Sequence, residues 1–341
     1  MNEHFIITST SLEKLLKSEK EEYEINRKHF FFNVLEHCYK DVSVNEKMEM
    51  LHYFTIVEKT LTFCRNSSFS LAQYWINYLD NYKIDLPPIA KDGILSSYYP
   101  MVAYYYYAQK NYLKANETLI KCFPILDRIL EAGVDDASLS IAEQRLNIIR
   151  LESSEGINED TFSKINQLVK YIYLGENTSE FKGNIGILLN EDLNYKISCL
   201  RYYFDSAIKK VFSKIVAKEP NEAENLKLIF KDIKVSKSSP IYNLFPYEMA
   251  ITSINNYIEG QYELFLKNFN LCIPDMQKLP VFFQILLLDR VKFLSTKFET
   301  PEKELIVRLV DTYYTDFLNL SNDTVSNQNK VSNNPLYFLK S

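Results

Sequence analysis

Apolar residues recur every three or four positions along almost the whole chain, which is the period of an amphipathic helix. No stretch keeps the period of two that a half-buried strand requires. Leu139, Ala142, Leu146 and Ile149 run to a stop at Gly156, and Phe162, Ile165, Val169 and Ile172 run from Asn158-Glu159-Asp160 to Gly175. Asn or Asp caps a helix start and glycine supplies a left-handed residue past a helix end, so these two runs predict a helical hairpin. Leu193, Ile197, Leu200, Phe204, Ile208, Val211 and Ile215 predict a long helix closed by Pro220. Further helices are predicted at 11–40, 44–65, 69–83, 222–233, 246–259, 261–273, 281–297 and 302–320. Leu71, Tyr74, Trp75, Tyr78, Leu79 and Tyr82 make the third helix of this series apolar around much of its circumference, the pattern of a helix central to a bundle.

Punctuation divides the chain into an N-terminal helical block at 1–85, helical hairpins at 86–235, a second set of hairpins at 236–320 and a tail at 321–341. Pro87-Pro88 and Lys237-Ser238-Ser239-Pro240 mark the joints. The tail is rich in Ser and Asn but ends in Leu336-Tyr337-Phe338-Leu339, an apolar stretch that needs a docking place on this chain or on a partner.

Composition narrows the class. Seven glycines in 341 residues leave little room for tight hairpins or phosphate-cradling loops. A net charge of −5 lacks the basic footprint of a nucleic-acid binder. Lys209, Lys210, Lys214 and Lys218, with Lys227, Lys231, Lys234 and Lys237 beyond, form the one basic concentration, and it reads as a solvated helix face. No apolar run reaches the length of a signal peptide or a membrane span. Cys38, Cys64, Cys122, Cys199 and Cys272 are odd in number and widely spaced, which points to reduced thiols in a cytoplasmic setting. The richness in Tyr, Phe, Asn, Lys and Ile also fits a low-GC genome, so the tyrosine count by itself carries little weight.

The segment from Tyr99 to Phe123 carries a spacing code. Ala103, Tyr106, Tyr112, Ala115, Leu119 and Cys122 place small residues where two antiparallel helices touch and aromatics where they turn. Ser253, Asn256, Tyr262, Phe265, Phe269 and Cys272 repeat the spacings 150 positions later, after Gly260. Each copy puts a proline two residues past its cysteine, early enough to end the second helix. The code resembles the tetratricopeptide repeat, a helix–turn–helix of about 34 residues. Asn256 and Phe265 depart from its aromatic and small positions.

The resemblance implies an all-α fold of antiparallel hairpins, stacked as a tetratricopeptide-like solenoid or a repeat-derived bundle, with a concave groove for a protein or peptide. In that groove Tyr104 and Tyr107 become the expected partner-binding residues, with Leu336, Tyr337 and Phe338 as a second contact. Ala103, Tyr106, Tyr112, Ala115, Leu119, Cys122, Tyr262, Phe269 and Cys272 become repeat core. The expected function is an adaptor, regulator or accessory factor that binds protein or peptide, without cofactor, metal, nucleic acid or membrane, and a homodimer is compatible with it.

Two other readings remain at this point. An acidic helical protein can act as an immunity-type inhibitor that covers a toxic enzyme's active site. An enzyme would instead place its site between helices of the N-terminal block, where all four histidines, His4, His29, His37 and His52, fall near Cys38. His37 and Cys38 are adjacent on a helix and diverge by about 100°, which is poor geometry for one metal ion.

Overall fold

The computed structural model describes residues 1–18, 34–40, 42–189, 192–208, 211 and 222–318. In chain order its helices are α1 (Asn2–Leu16), α2 (Val44–Arg65), α3 (Phe69–Asn81), α4 (Pro88–Ala108), α5 (Tyr112–Ile120), α6 (Phe123–Glu131) and α7 (Ala137–Glu155). They continue as α8 (Glu159–Val169), α9 (Ile185–Leu188), α10 (Leu193–Ile208), α11 (Glu222–Phe230), α12 (Tyr247–Ile258), α13 (Tyr262–Cys272), α14 (Val281–Lys297) and α15 (Lys303–Asp316). Residues 34–38 add a helical turn, Lys170–Leu174 a π-helical turn and Ile273–Lys278 a 3-10 turn. The described residues contain no strand, so the protein is all-α. Leu336, Tyr337, Phe338, His29, Lys209, Lys210, Lys214, Ile215, Lys218 and Pro220 lie outside the described residues.

Most helix boundaries follow from local chemistry. The Ser43 side chain accepts from the Glu46 amide while Glu46 reaches back to the Ser43 amide, a capping box that starts α2. Two expectations need correction. Helix α1 begins at Asn2 rather than near residue 11, because the hydroxyls of Thr8, Ser9 and Thr10 donate to carbonyls three or four residues back and are satisfied inside the helix. Gly156 (φ 165°, ψ 156°) is extended rather than left-handed. There the turn is set instead by Asn158, whose side chain accepts from the Thr161 amide at 3.0 Å. Gly175 does take the left-handed conformation, at φ 72°.

The described residues group into two compact units. Unit 2 holds 34–40, 42–161 and 177–188. In it α4 touches α2, α3, α5 and α6, while α7 packs on α5 and α6. Asp92 of α4 accepts two hydrogen bonds from Arg128 of α6, at 2.9 and 2.6 Å. Pro100 interrupts α4 by removing the amide that would bond to the Ser96 carbonyl, and the Cys122 thiol donates to that carbonyl at 3.6 Å.

Unit 1 holds 1–18, 162–176, 189, 192–208, 211 and 222–318. Its centre is α14, buried around its circumference from Phe282 to Ser295 and touched by α10, α12, α13 and α15. Asp205 of α10 accepts from the Val281 and Phe282 amides and so satisfies the first turn of α14. Phe204 stands between Tyr173, Phe230, Phe282 and Phe283, with ring centroids 5.1–6.4 Å away. The central role expected of α3 therefore belongs to α14 in unit 1 and α4 in unit 2. Helix α3 buries only Ala72, Ile76 and Leu79.

The turn of the second hairpin, 150 positions later, repeats the geometry of the first. Asn111 N–H donates to Tyr106 O at 2.9 Å and Lys110 N–H to Tyr107 O at 2.8 Å, while Gln261 donates to Asn256 at 2.8 Å and Gly260 to Tyr257 at 3.0 Å. These are the paired bonds of a Schellman end, with left-handed Lys110 (φ 61°) in one copy and Gly260 (φ 75°) in the other. The Tyr107–Tyr112 and Tyr257–Tyr262 centroids are both 5.7 Å apart. The Cys122 thiol reaches Ser96 O, and the Cys272 thiol reaches Pro246 O at 3.8 Å. The prolines after each cysteine end the preceding helix, opening α6 in one copy and the 3-10 turn in the other.

Asp289 of α14 accepts from Tyr314 Oη at 2.7 Å. Burial raises its carboxyl from 3.8 to about 6, against the pull of the Tyr314 bond and Lys292, and Asp311 adds to the rise. The folded form thus holds this proton more tightly than the unfolded chain. The stability it contributes is complete below the unfolded value and is lost as pH rises through about 6. Asp289→Asn is expected to raise stability by roughly 1–3 kcal/mol at alkaline pH and to change it little in acid. Urea midpoints at the two pH extremes measure this, and equal shifts at both would rule out titration of Asp289.

Candidate functional site

Tyr104 and Tyr107 lie on α4, partly buried, with ring centroids 6.2 Å apart. Tyr104 packs against the α2–α3–α4 core and Tyr107 against the α4–α5–α7 core. Burial raises the pKa of both phenols, and a hydrogen bond with Ser154 opposes the rise at Tyr107. Both rings therefore contribute to packing as well as to any surface. Ala103, Ala115, Leu119, Cys122, Phe269 and Cys272 are buried, and Tyr106, Tyr112 and Tyr262 are partly buried.

The thiols are core groups. All five cysteines are free and buried. Burial pushes Cys38 and Cys64 up to about 11 and Cys122 and Cys199 up to about 12, with Asp92 adding to the rise at Cys38. None is held as the thiolate a nucleophile needs. His4 belongs to unit 1 and His37 and His52 to unit 2. Among the described residues, no three His, Cys, Asp or Glu side chains converge as a metal ion would require, and no helix is long and apolar enough to cross a membrane.

The feature with binding chemistry is the outer face of α3. Tyr74, Tyr78 and Tyr82 succeed one another four residues apart, and Gln73, Asn77 and Asn81 form a parallel row beside them. Tyr74, Asn77, Tyr78, Asn81 and Tyr82 line a shallow depression of about 280 Å³. Tyr74 is 60% exposed. The tyrosines are nonetheless held in place. Tyr78 stacks on Tyr82 at 5.5 Å, and His52 of α2 meets both rings while its Nε2 lies 3.2 Å from Tyr78 Oη. Trp75 bridges Tyr74 and Tyr78, with the Lys59 ammonium 5.6 Å above its ring. Tyr82 continues inward through buried Tyr53 to Tyr98, whose hydroxyl donates to Asp80. The surface is thereby rooted in the core and partly preorganised.

The amides are ordered too. Gln73 Nε2 donates to Asn77 Oδ1 at 2.8 Å, and Asn81 Nδ2 donates to the Asn77 carbonyl at 2.7 Å. Asn77 and Asn81 are both exposed. On α2, Val44, Met48 and Leu51 are exposed apolar residues, Met48 one turn before His52.

Sequence reasoning assigned these tyrosines to a buried helix and passed over the amide row. The signal was present as Gln, Asn and Asn at spacings of four, beside Tyr, Tyr and Tyr at the same spacings. Comparison with protein-family models, with curated proteins and with solved structures finds no match.

Proposed function

We propose that this protein is a binding module for another protein or peptide, built on tetratricopeptide-like hairpins, and that the outer face of α3 is its principal contact surface. The observation that carries this reading is the row of exposed Tyr74 and partly buried Tyr78 and Tyr82, which with Asn77 and Asn81 lines a shallow depression. Tyrosine offers large contact area for little side-chain entropy and keeps a polar tip, which is why it dominates binding hot spots. Rings already held by His52, Trp75 and each other lose less freedom on binding. The paired geometry of the two hairpins supports the repeat reading, since one unit of structure used twice is what a helical-repeat protein requires.

The test compares binding partners captured by the wild type, a Tyr74→Ala/Tyr78→Ala variant and a Tyr104→Ala/Tyr107→Ala variant. The first variant is expected to lose more than tenfold in affinity for the main partner, the loss typical of two hot-spot rings, with a smaller loss of thermal stability because Tyr78 also packs against the α2–α3–α4 core. The second is expected to lose stability, because its rings are packed into two cores. Full retention of the partner by the first variant would move the contact surface away from α3.

A further inference from the structure

We infer that this protein associates with itself, the outer face of α5 on one copy meeting the outer face of α13 on a second copy with the two helices running in the same direction. Neither face includes α3, so the contact stands apart from the partner surface proposed above.

Both helices bury one side and leave apolar residues on the other. Helix α5 buries Ala115, Thr118 and Leu119 and packs on α4 and α7, yet Leu113 is 66% exposed and Ile120 52%. Helix α13 buries Phe265, Leu266, Phe269 and Cys272 and packs on α12 and α1, yet Leu264 is 48% exposed and Leu271 47%. Within each exposed pair the residues are seven positions apart, about two turns, and so lie on one side of their helix. Between them sits an exposed charge, Glu117 on α5 and Lys267 on α13. Neither charge has an ion-pair partner among the described residues.

Charge and register point to a second copy as the occupant. Glu117 and Lys267 lie 150 positions apart and hold equivalent places in the two hairpins, with opposite signs. When the helices lie side by side in the same direction with Glu117 level with Lys267, Leu113 comes within one residue of Leu264 and Ile120 within one of Leu271. The sides agree as well. Glu117 stands four residues after Leu113, whereas Lys267 stands three after Leu264. Four residues overshoot a full turn by about 40°, and three fall about 60° short of one. The two charges thus lie to opposite hands of their leucines, and opposite hands are what meet when parallel helices face each other. An antiparallel pairing would set the charges on opposite sides of the apolar seam. Lys114 and Glu263 form a second opposite pair in the parallel register, although Lys114 also lies over Tyr106 and Glu263 also meets the Met1 amine.

One pair of helices covers less than the roughly 800 Å² per partner of a stable dimer, so the association is weak and depends on concentration. Sedimentation velocity from about 10 to about 500 μM covers the range in which so small a contact forms. The wild type is expected to sediment faster as concentration rises. Glu117→Lys and Lys267→Glu should each weaken association by roughly tenfold, since each sets like charges against one another, at unchanged circular dichroism. Mixing the two variants should restore it, because each then meets the opposite charge on the other. Cross-linking by mild oxidation reads the direction: Leu113→Cys chains should link to Leu264→Cys chains faster than to Leu271→Cys chains. A wild type that stays monomeric throughout overturns self-association, and variants that associate as well as the wild type overturn this interface. A mixture no stronger than its components overturns the pairing of Glu117 with Lys267 between copies. Faster linking of position 113 to 271 overturns the parallel register.

Discussion

Replacing Phe204 with alanine is expected to destabilise unit 1 by about 3–5 kcal/mol, the cost of a large cavity in a close-packed core. Phe204 is 2% exposed, and its ring meets four others contributed by the π-helical turn, α11 and α14. The surrounding rings are locked by their own contacts. Tyr173 donates its hydroxyl to the Leu200 carbonyl, and Phe230 lies 5.8 Å from Phe283. They have little freedom to collapse into the void, so the cost should fall toward the upper end of the range. Urea denaturation followed by far-UV circular dichroism measures it. A loss below about 1 kcal/mol would mean that this aromatic cluster does not pack as described.

Ala115→Phe is the second large effect, and it is the reverse experiment. Ala115 and Phe265 hold equivalent places in the two hairpins, and both are fully buried. In unit 2, Ala115 lies among Ala103, Leu119, Phe123, Ile148 and Leu151, where the small side chain lets α4 and α5 approach. Phenylalanine there must force the helices apart, at a cost of about 3 kcal/mol. In unit 1 the same place accepts phenylalanine, which stacks on Phe269 at 6.1 Å and meets Tyr257 at 5.5 Å. Trp75 is the only tryptophan and lies in unit 2, so its fluorescence reports this variant directly. An unchanged urea midpoint would show that the α4–α5 contact tolerates separation and that small size at Ala115 is incidental.

This pair of variants also marks the reach of sequence reading. The two hairpins were legible because part of their turn signal is local: Tyr112 and Tyr262 after the turn, Gly260 in the second copy, and a proline two residues after each cysteine. The left-handed Lys110 and the ring pairs Tyr107–Tyr112 and Tyr257–Tyr262 came only from the structure. The start of α1 was not legible, because Thr8, Ser9 and Thr10 satisfy their hydroxyls inside the helix although such residues compete with helix formation elsewhere. Gly156 was misread because glycine also serves extended backbone, and a glycine's identity does not fix its φ.

The candidate site was half legible. The tyrosines of α3 were noticed, but their exposure depends on which helices cover α3. Covering is a long-range property that periodicity does not carry. An apolar residue pattern looks alike in a buried helix such as α14 and in one like α3 that presents rings to solvent.

Taken by itself, the sequence determined the all-helical class, most helix boundaries and the duplicated hairpin, since each follows from contacts within a few residues or from repetition of a spacing. Only the tertiary structure decided which helices stand at the two centres. It also showed that Tyr104 and Tyr107 are partly buried packing residues, and that Tyr74, Asn77, Tyr78, Asn81 and Tyr82 share an open face. The physical reason is that burial is set by what other helices leave uncovered, and that is a property of no single segment.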